Sequence, residues 1–191
     1  MKGVYIFLAD GFEDVEALGT RDVLVRGGVD VTLAGISDSP FVESSHGVTV
    51  GVDDMLCDME DDGRADEQDF LIFPGGMPGS RNLAECEPLI DLMNAHYAQG
   101  GSVAAICAAP GLVLSQLEGV ENAQFTCFSG FEGALQEKGW KFCPKAAVTS
   151  GRIITGRSAG WALDFGLEIL RKIKGEETAR KVREALWLET A

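Results

Sequence analysis

Short apolar segments that favour β-strand alternate with segments that favour α-helix from the first residues of this chain. A predicted strand over Val4 to Ala9 is followed by a predicted helix from about Asp14 to Arg26. Gly27-Gly28 can end that helix with a left-handed residue, and Val29 to Ala34 has the composition of a second strand. Because a strand, a helix and a strand in this order form a parallel pair, the sequence predicts an α/β fold with a mostly parallel central sheet.

The same alternation continues towards the C-terminus. Further strands are predicted at Val48 to Val52, Phe70 to Phe73, Ser102 to Ile106 and Gln124 to Cys127, with a hairpin-like pair at Ala146 to Thr149 and Ile153 to Thr155. Further helices are predicted from about Ser80 to Ala98, after Cys107 to about Gln116, near Gly130 to Lys138 and in the C-terminal segment. Residues 53–68 are expected to form a surface connection with one helical turn. We find no repeat or linker, so residues 1–191 are expected to form one domain with helices on both faces of the sheet.

The charge balance limits the partners of this protein. The chain has 30 acidic and 16 basic residues, for a formal net charge of -14, which argues against nucleic acid or an anionic membrane as the main partner. The apolar run after Lys2 ends at Asp10 and is too short for a signal peptide, and no stretch has the length of a membrane span. We therefore expect a cytoplasmic protein.

The cysteines do not form a metal-binding pattern. Five are present, an odd number, and they are far apart in sequence with no C-x-x-C motif and no Cys/His pair at metal spacing: Cys57, Cys86, Cys107, Cys127 and Cys143. They are predicted to be free thiols in a reducing compartment. At 191 residues and 46% hydrophobic content, the chain can bury a core without disulfides or metal. Neither a metal nor another cofactor is expected.

Cys107 lies where a predicted strand, Ser102 to Ile106, meets a predicted helix, because Pro110 is favoured in the first turn of a helix. Backbone N–H groups at a helix start are unpaired and carry partial positive charge. A thiol at that corner is expected to be ionised at neutral pH and to act as a nucleophile. The alternative is a buried structural cysteine, since free cysteine is among the most buried residue types.

Two other loops are expected at the same edge of the sheet as Cys107. Gly75-Gly76 lets backbone N–H groups approach a ligand and, with the N–H of Ala108, could form an oxyanion hole beside the thiol; the alternative is a tight turn. Glu16 is expected in the first turn of the first helix, either solvated or pointing into the crevice. In the second case its protonated form could donate a hydrogen bond to the thiolate.

Several segments, in order, resemble the ThiJ/PfpI family, in the branch of the parkinsonism-associated deglycase and its bacterial relatives. They are Gly11-Phe-Glu-Asp-Val-Glu16, Asp22-Val-Leu-Val-Arg26-Gly-Gly, Leu71-Ile-Phe-Pro-Gly-Gly76, Ala104-Ala-Ile-Cys-Ala-Ala-Pro110 and Asp164-Phe-Gly-Leu, and the similarity extends from Gly3 to about Lys174. The resemblance implies a flavodoxin-like three-layer sandwich and a homodimer, with Cys107 as the reactive thiol and Glu16 as its hydrogen-bonded acid. It also places Gly75, Gly76 and Ala108 in the pocket around the thiol. Asp22 and Arg26 match positions near the site or the dimer interface.

The chain departs from the family pattern in its histidines. Peptidase-like members carry a histidine directly after the nucleophile, where this chain has Ala108. By the resemblance, His46 lies in a loop near the neighbouring subunit's cysteine, while His96 is expected to be solvated on a helix surface. The pocket histidine of some members corresponds to Cys127, which is expected to be a second thiol at the site or a buried small residue. The segment from Arg157 to Trp161 replaces the family's Gly-Pro-Gly and alters the pocket rim.

The leading hypothesis is a cofactor-independent cysteine enzyme that acts on reactive carbonyls such as methylglyoxal or early glycation adducts, of the glyoxalase or deglycase type. Cys107 would add to the aldehyde and Glu16 would transfer protons. The alternative is a redox-sensing or chaperone-like stress protein that uses oxidation of Cys107. Flavin mononucleotide binding is disfavoured because acidic residues follow the first strand where a phosphate needs donors. A glutamine amidotransferase would need a histidine after the cysteine, and none follows His96.

Overall fold

A computed structural model describes residues 1–59 and 64–188. The strands are β1 (Val4–Leu8), β2 (Val31–Gly35), β3 (Phe41–Glu43), β4 (Thr49–Gly51), β5 (Asp54–Met55), β6 (Phe70–Phe73), β7 (Ser102–Ile106), β8 (Gln124–Phe125), β9 (Lys141–Phe142), β10 (Ala147–Ser150) and β11 (Ile153–Gly156). The helices are α1 (Asp14–Arg26), α2 (Gly79–Ala84), α3 (Glu87–Ala98), α4 (Ala109–Leu112), α5 (Gly133–Glu137), α6 (Ala162–Lys174) and α7 (Glu176–Ala185). Short 3₁₀ turns lie at Leu56–Asp58, Leu114–Gln116 and Ala159–Trp161.

The central sheet has seven strands in the order β10-β11-β7-β6-β1-β2-β5. Every neighbouring pair is parallel except β10 and β11, which form the predicted antiparallel hairpin. Strand β1 pairs with β2 on one side and with β6 on the other, so the direction of winding reverses between β1 and β6. In an open parallel sheet such a reversal opens a crevice at the carboxyl ends of the strands. The mostly parallel α/β fold is confirmed.

Side chains that alternate along the strands form one apolar core on each face of the sheet. Ile6 and Leu8 of β1 pack with helices α1 and α6 on the first face. Phe7 packs on the opposite face, where its ring stacks on that of Phe73 with centroids 5.9 Å apart. Both faces are therefore covered, and the predicted three-layer sandwich is confirmed.

Several elements differ from the sequence prediction, among them the short strand β9, which the sequence does not predict. The single helix predicted from Ser80 to Ala98 is two helices, α2 and α3, because Pro88 lies in the first turn of α3 and a proline is not accommodated inside a continuous helix. The strand predicted at Val48 to Val52 is β4, which pairs with the unpredicted strand β3 outside the central sheet. Strand β8 ends at Phe125, so Cys127 lies in the loop that follows.

The connection predicted over residues 53–68 lies partly outside the described residues, which omit 60–63. Its described part contains the short edge strand β5 and the expected single turn, at Leu56–Asp58.

His96 is fully buried, and the prediction of a solvated surface histidine is wrong. Its Nε2 lies 3.1 Å from the carbonyl oxygens of both Asp69 and Ser102, at the amino ends of β6 and β7. The ring fits because Gly101 has no side chain: a Cβ there would lie 2.1 Å from Nε2. Burial lowers the pKa of His96, so the imidazole is held neutral inside the molecule.

No helix within residues 1–59 and 64–188 combines the length and the apolar character required to cross a membrane.

Candidate active site

Cys107 lies directly after β7 in a backbone conformation that is unusual for a residue with a side chain. Its φ is 65°, in the left-handed region. Two hydrogen bonds hold this corner: the Cys107 N–H donates to the Gly156 carbonyl over 3.0 Å, and the Cys107 carbonyl accepts from the Phe128 N–H over 2.8 Å. A strained backbone that is fixed from both sides is typical of functional sites. Helix α4 begins two residues later, as the sequence predicts.

Glu16 points into the protein from the first turn of α1. It is only 1% exposed, which excludes the solvated alternative. Its Oε2 accepts a hydrogen bond of 2.8 Å from the Gly75 N–H, while Oε1 is buried and has no hydrogen-bond partner of good geometry within the described residues. The Cys107 thiol and the Glu16 carboxyl form a side-chain hydrogen bond, and each of the two groups shifts the pKa of the other. The two side chains therefore form the predicted pair.

The pKa values of both members of this pair are raised. Burial raises the pKa of Glu16 to about 7 against the opposing effect of hydrogen bonds from Cys107 and Gly75. Burial, followed by the charge of Glu16, raises the pKa of Cys107 to about 12, although the N–H groups of Ala108 and Gly76 act to lower it. The pair thus holds two protons below pH 7 and one between pH 7 and 12. The pKa of the thiol is therefore raised, whereas the helix start and a protonated Glu16 were expected to lower it, because burial and the negative charge of Glu16 outweigh the backbone N–H groups.

The glycine pair after β6 lets the main chain approach both side chains. A Cβ on Gly75 would lie 2.3 Å from Glu16 Oε2 and 2.5 Å from Cys107 Cβ. Gly76 has a φ of 91°, a conformation that favours glycine. The three predicted backbone donors do not all act on the thiol. The Gly75 N–H donates to Glu16, whereas the Gly76 and Ala108 N–H groups interact with the sulfur of Cys107. Both of these N–H groups therefore lie beside the thiol.

A hydrogen-bond network connects α1 to the β3–β4 hairpin beside the pair. The Ser45 N–H donates to the Phe12 carbonyl over 2.8 Å, and the Ser44 hydroxyl donates to Asp14 Oδ1 over 2.6 Å. His46 Nδ1 lies 2.6 Å from Asp14 Oδ2. The hydrogen bond to Asp14, followed by its charge, raises the pKa of His46. In this chain His46 is therefore a hydrogen-bond partner of Asp14.

One group of potential metal ligands exists within the described residues, formed by Glu13, Asp14 and His46. Their ligand atoms lie within 4.8 Å of one another. Most of these atoms already have partners: Glu13 Oε2 accepts the Glu16 N–H, and both Asp14 oxygens accept hydrogen bonds. We therefore assign the three side chains to the hydrogen-bond network.

Three other candidate residues lie apart from the pair. Asp22 and Arg26 form an exposed ion pair with each other, with Arg26 Nε 2.7 Å from Asp22 Oδ2. Cys127 is fully buried in the apolar core on one face of the sheet, whereas Cys107 packs against the core on the opposite face. Burial, followed by the charge of Glu132, raises the pKa of Cys127 to about 12. The geometry thus favours the small buried residue among the two readings of Cys127.

Glu13 is a contributor to the site that the sequence reasoning missed. It is the N-cap of α1 and accepts the Glu16 N–H over 2.7 Å. The spacing of Glu13 and Glu16 at positions i and i+3, at the start of a predicted helix, is a local signal of capping that could have identified it. The Asp14–His46 contact had no such signal, because the two residues are separated by 32 positions in the chain.

The fold and the site together define a class: an α/β sandwich protein with a half-buried cysteine beside a buried carboxyl at the carboxyl edge of a parallel sheet. The chain belongs to the DJ-1/PfpI family, whose profile matches residues 2–172.

Relatives support this assignment in sequence and in structure. The chain is 34% identical over 176 residues to the glutathione-independent glyoxalase DJR-1.2 of Caenorhabditis elegans, covering 92% of this chain and 90% of the relative. The crystal structure of Drosophila melanogaster DJ-1beta matches with a TM-score of 0.86 and 30% identity over 99% of both chains. An oxidized Toxoplasma gondii DJ-1 structure matches with a TM-score of 0.85 and 26% identity over the whole of both chains. The family expected from the sequence motifs is confirmed.

Proposed function

We propose that this protein is a cofactor-independent enzyme of the glyoxalase type, which converts 2-oxoaldehydes such as methylglyoxal to 2-hydroxy acids. The observation that carries the proposal is the pair itself: a thiol on a strained corner beside a buried carboxyl whose pKa is raised to about 7. A carboxyl with a pKa near the working pH is suited to take up and return protons. The name of the Caenorhabditis elegans relative, a glutathione-independent glyoxalase, supports the same reaction class.

The first step is addition of Cys107 to the aldehyde carbon. The Glu16 carboxylate accepts the thiol proton as the S–C bond forms, so the raised pKa of the thiol is overcome only when a substrate is present. The negative charge that develops on the aldehyde oxygen faces the N–H groups of Gly76 and Ala108, and Glu16 then returns the proton to this oxygen. The product is a hemithioacetal.

The second step is an internal redox isomerisation followed by hydrolysis. The former aldehyde carbon loses its proton to Glu16, and the neighbouring ketone carbon gains one through an enediol. This oxidises the first carbon to a thioester and reduces the second to an alcohol, with no external electron acceptor. Water then cleaves the thioester to give lactate from methylglyoxal and restores the thiol. In total one methylglyoxal and one water give one lactic acid.

The proposal includes a homodimer, as the family resemblance implies. Three large apolar side chains are exposed at the start of α1 and on the β3–β4 hairpin, namely Val15 (50%), Phe41 (61%) and Val48 (45%). These elements are joined by the bridge between Phe12 and Ser44. The family resemblance also implies that His46 lies near the neighbouring subunit's cysteine in such a dimer. Asp22 and Arg26 are on the same helix, α1, as Val15.

Lactate formation from methylglyoxal by the purified protein tests the proposal. We expect turnover without glutathione or added metal, and loss of turnover in Cys107→Ser. Cys127→Ser is the matched control, because it removes a thiol that is buried on the other face of the sheet. Equal activity of Cys107→Ser and the unmodified protein would refute the proposed mechanism.

The second candidate function is redox sensing through Cys107, favoured by the oxidized state named for the Toxoplasma gondii relative. Two equivalents of peroxide would convert the thiol to a sulfinic acid and release two waters, and the Gly76 and Ala108 N–H groups would bind the sulfinate oxygens. Mass spectrometry after mild peroxide treatment tests this function. Selective gain of two oxygens at Cys107, together with negligible turnover of methylglyoxal, would favour it over the enzyme.

A further inference from the structure

Glu13 lies against the glycine pair of the candidate site. Its backbone N–H donates to the Gly75 carbonyl over 3.0 Å. A Cβ on Gly76 would lie only 2.4 Å from the Glu13 nitrogen. The backbone of Glu13 is therefore fixed directly beside the glycine pair, which in turn contacts Glu16 and Cys107.

The charge of Glu13 acts on the reactive pair. Its Oε2 is bound to the Glu16 N–H over 2.7 Å, and its negative charge raises the pKa of Glu16. The neighbouring carboxylate of Asp14 differs, because it is hydrogen-bonded to His46 and Ser44. Among the causes that shift the two pKa values, the charges are negative: that of Glu13 acts on Glu16, and that of Glu16 acts on Cys107.

The missing hydrogen-bond partner of Glu16 Oε1 indicates which kind of ligand the site would bind. The side chain is 99% buried, and Oε1 has no hydrogen-bond partner within residues 1–59 and 64–188. A buried oxygen without a partner costs free energy, which a ligand with an O–H or N–H donor would recover. A carboxylate or phosphate group on a ligand offers only acceptors at neutral pH. Placed against Oε1, such a group would supply no donor, and anywhere near the pair it would add a negative charge beside those of Glu13 and Glu16.

We propose that the site selects uncharged carbonyl compounds, whose adducts with Cys107 present a hydroxyl or N–H to Glu16, and that Glu13 is the residue that disfavours anionic ones. The statement about substrates rests on the proposed function. The charge selection itself acts on any small molecule that reaches the thiol. For a like charge at the edge of a partly buried site, we expect discrimination on the order of tenfold.

Alkylation of Cys107 tests the charge selection without turnover. Iodoacetamide and iodoacetate have nearly the same shape and differ in charge, and the modified Cys107 peptide can be quantified by mass spectrometry. We expect the ratio of the two rates, amide over acid, to be about tenfold higher in the folded protein than at the same cysteine in urea. In Glu13→Gln, which keeps an oxygen to cap Glu16, the ratio should fall at least threefold.

Two matched variants separate charge from structure. Glu13→Asp keeps the negative charge and should retain the selection. Glu177→Gln makes the same chemical change on α7, where Glu177 pairs with Lys181 in solvent, and should leave the ratio unchanged. A ratio in the folded protein equal to that in urea, or a ratio unaffected by Glu13→Gln, would overturn the proposal.

Turnover gives the second readout. The substrates are 4-carboxyphenylglyoxal and its uncharged carboxamide, which carry the same reactive group. We expect kcat/KM to be about tenfold higher for the carboxamide and the difference to shrink in Glu13→Gln. If no 2-oxoaldehyde is turned over but the alkylation ratio persists, the proposed function fails and the charge selection stands. If both glyoxals are turned over equally, the charge selection is wrong.

Discussion

The two ends of the parallel sheet are built in the same way and yet differ in chemical character. At the carboxyl end, Gly75 makes room for the buried Glu16 and Cys107. At the amino end, Gly101 makes room for the buried His96. One glycine pair, Gly75-Gly76, follows strand β6, and the other, Gly100-Gly101, precedes strand β7. At each place the glycine has no side chain, and a titratable side chain occupies the space that it leaves.

The difference lies in what the buried group contacts. His96 Nε2 is held between the carbonyl oxygens of Asp69 and Ser102, two fixed backbone acceptors that cannot change their protonation. Glu16 accepts a hydrogen bond from a backbone donor and lies beside a thiol, and the thiol can lose its proton. Burial alone therefore gives a structural histidine at one end, whereas burial beside a second titratable group gives a proton-exchanging pair at the other.

Replacement of Glu16 should have the largest effect. In Glu16→Gln the side-chain oxygen still accepts the Gly75 N–H, but the group cannot take up the thiol proton. We expect kcat for methylglyoxal to fall by about 10²- to 10⁴-fold, the usual contribution of general acid–base catalysis. The control is His96→Gln at the opposite end, for which kcat should change less than threefold. Similar losses in the two variants would show that the two ends do not differ as described.

The pH dependence of stability should have opposite signs at the two ends. Because the pKa of Glu16 is raised from 4.5 to about 7 on folding, its contribution is complete below pH 4.5 and is lost as pH rises through 7. The loss is about 3 kcal/mol of unfolding free energy. The pKa of His96 is lowered from 6.5, so its contribution is complete above that value and is lost as pH falls below it.

Denaturant unfolding between pH 4.5 and 8 measures both effects. Glu16→Gln should flatten the decline in stability towards pH 8, whereas His96→Gln should flatten the decline on the acid side. An unchanged slope between pH 4.5 and 7 in Glu16→Gln would mean that the carboxyl does not titrate in this range in the folded protein.

Sequence patterns were sufficient for features that depend on local periodicity. The central strands, α1 and the corner at Cys107 follow from apolar runs that end at glycine or proline. Cys107 and Glu16 could be proposed as partners because the carboxyl ends of parallel strands lie at one edge of the sheet. The broken helix also had a local signal, since Pro88 disfavours one helix through residues 80–98.

Features that depend on long-range contacts could not be predicted in this way. The burial of His96 requires Gly101 and two carbonyl oxygens from neighbouring strands, and nothing in the helix pattern of α3 reports them. The protonation of the thiol depends on a balance between burial and two backbone N–H groups. Sequence shows the helix start but not the depth of burial.

The two glycines offer a direct test of the comparison, with a smaller expected effect. In Gly101→Ala the new methyl group would lie 2.1 Å from His96 Nε2, and we expect a loss of about 1–3 kcal/mol of unfolding free energy. The rate of Cys107 alkylation by iodoacetamide should stay within twofold. In Gly75→Ala, the alkylation rate itself should fall, because the methyl group displaces both Glu16 and Cys107. A fall in the alkylation rate in Gly101→Ala would show that the two ends are coupled.

The smallest effect is expected for Cys127→Ala. This variant tests whether the reactivity of Cys107 depends on its carboxyl partner or on a second buried thiol. Burial raises the pKa of both Cys107 and Cys127 to about 12, but Cys107 is hydrogen-bonded to the Glu16 carboxyl, whereas the carboxylate of Glu132 acts on Cys127 through its charge. Iodoacetamide should therefore modify Cys107 at a rate within twofold of the unmodified protein when Cys127 is absent. A tenfold fall would mean that the second thiol belongs to the reactive site after all. The reactivity of Cys107 would then depend on three groups, namely Cys107, Glu16 and Cys127. The two ends of the sheet would in that case differ in how many titratable groups they contain, and the single cysteine–carboxyl pair would not account for the difference.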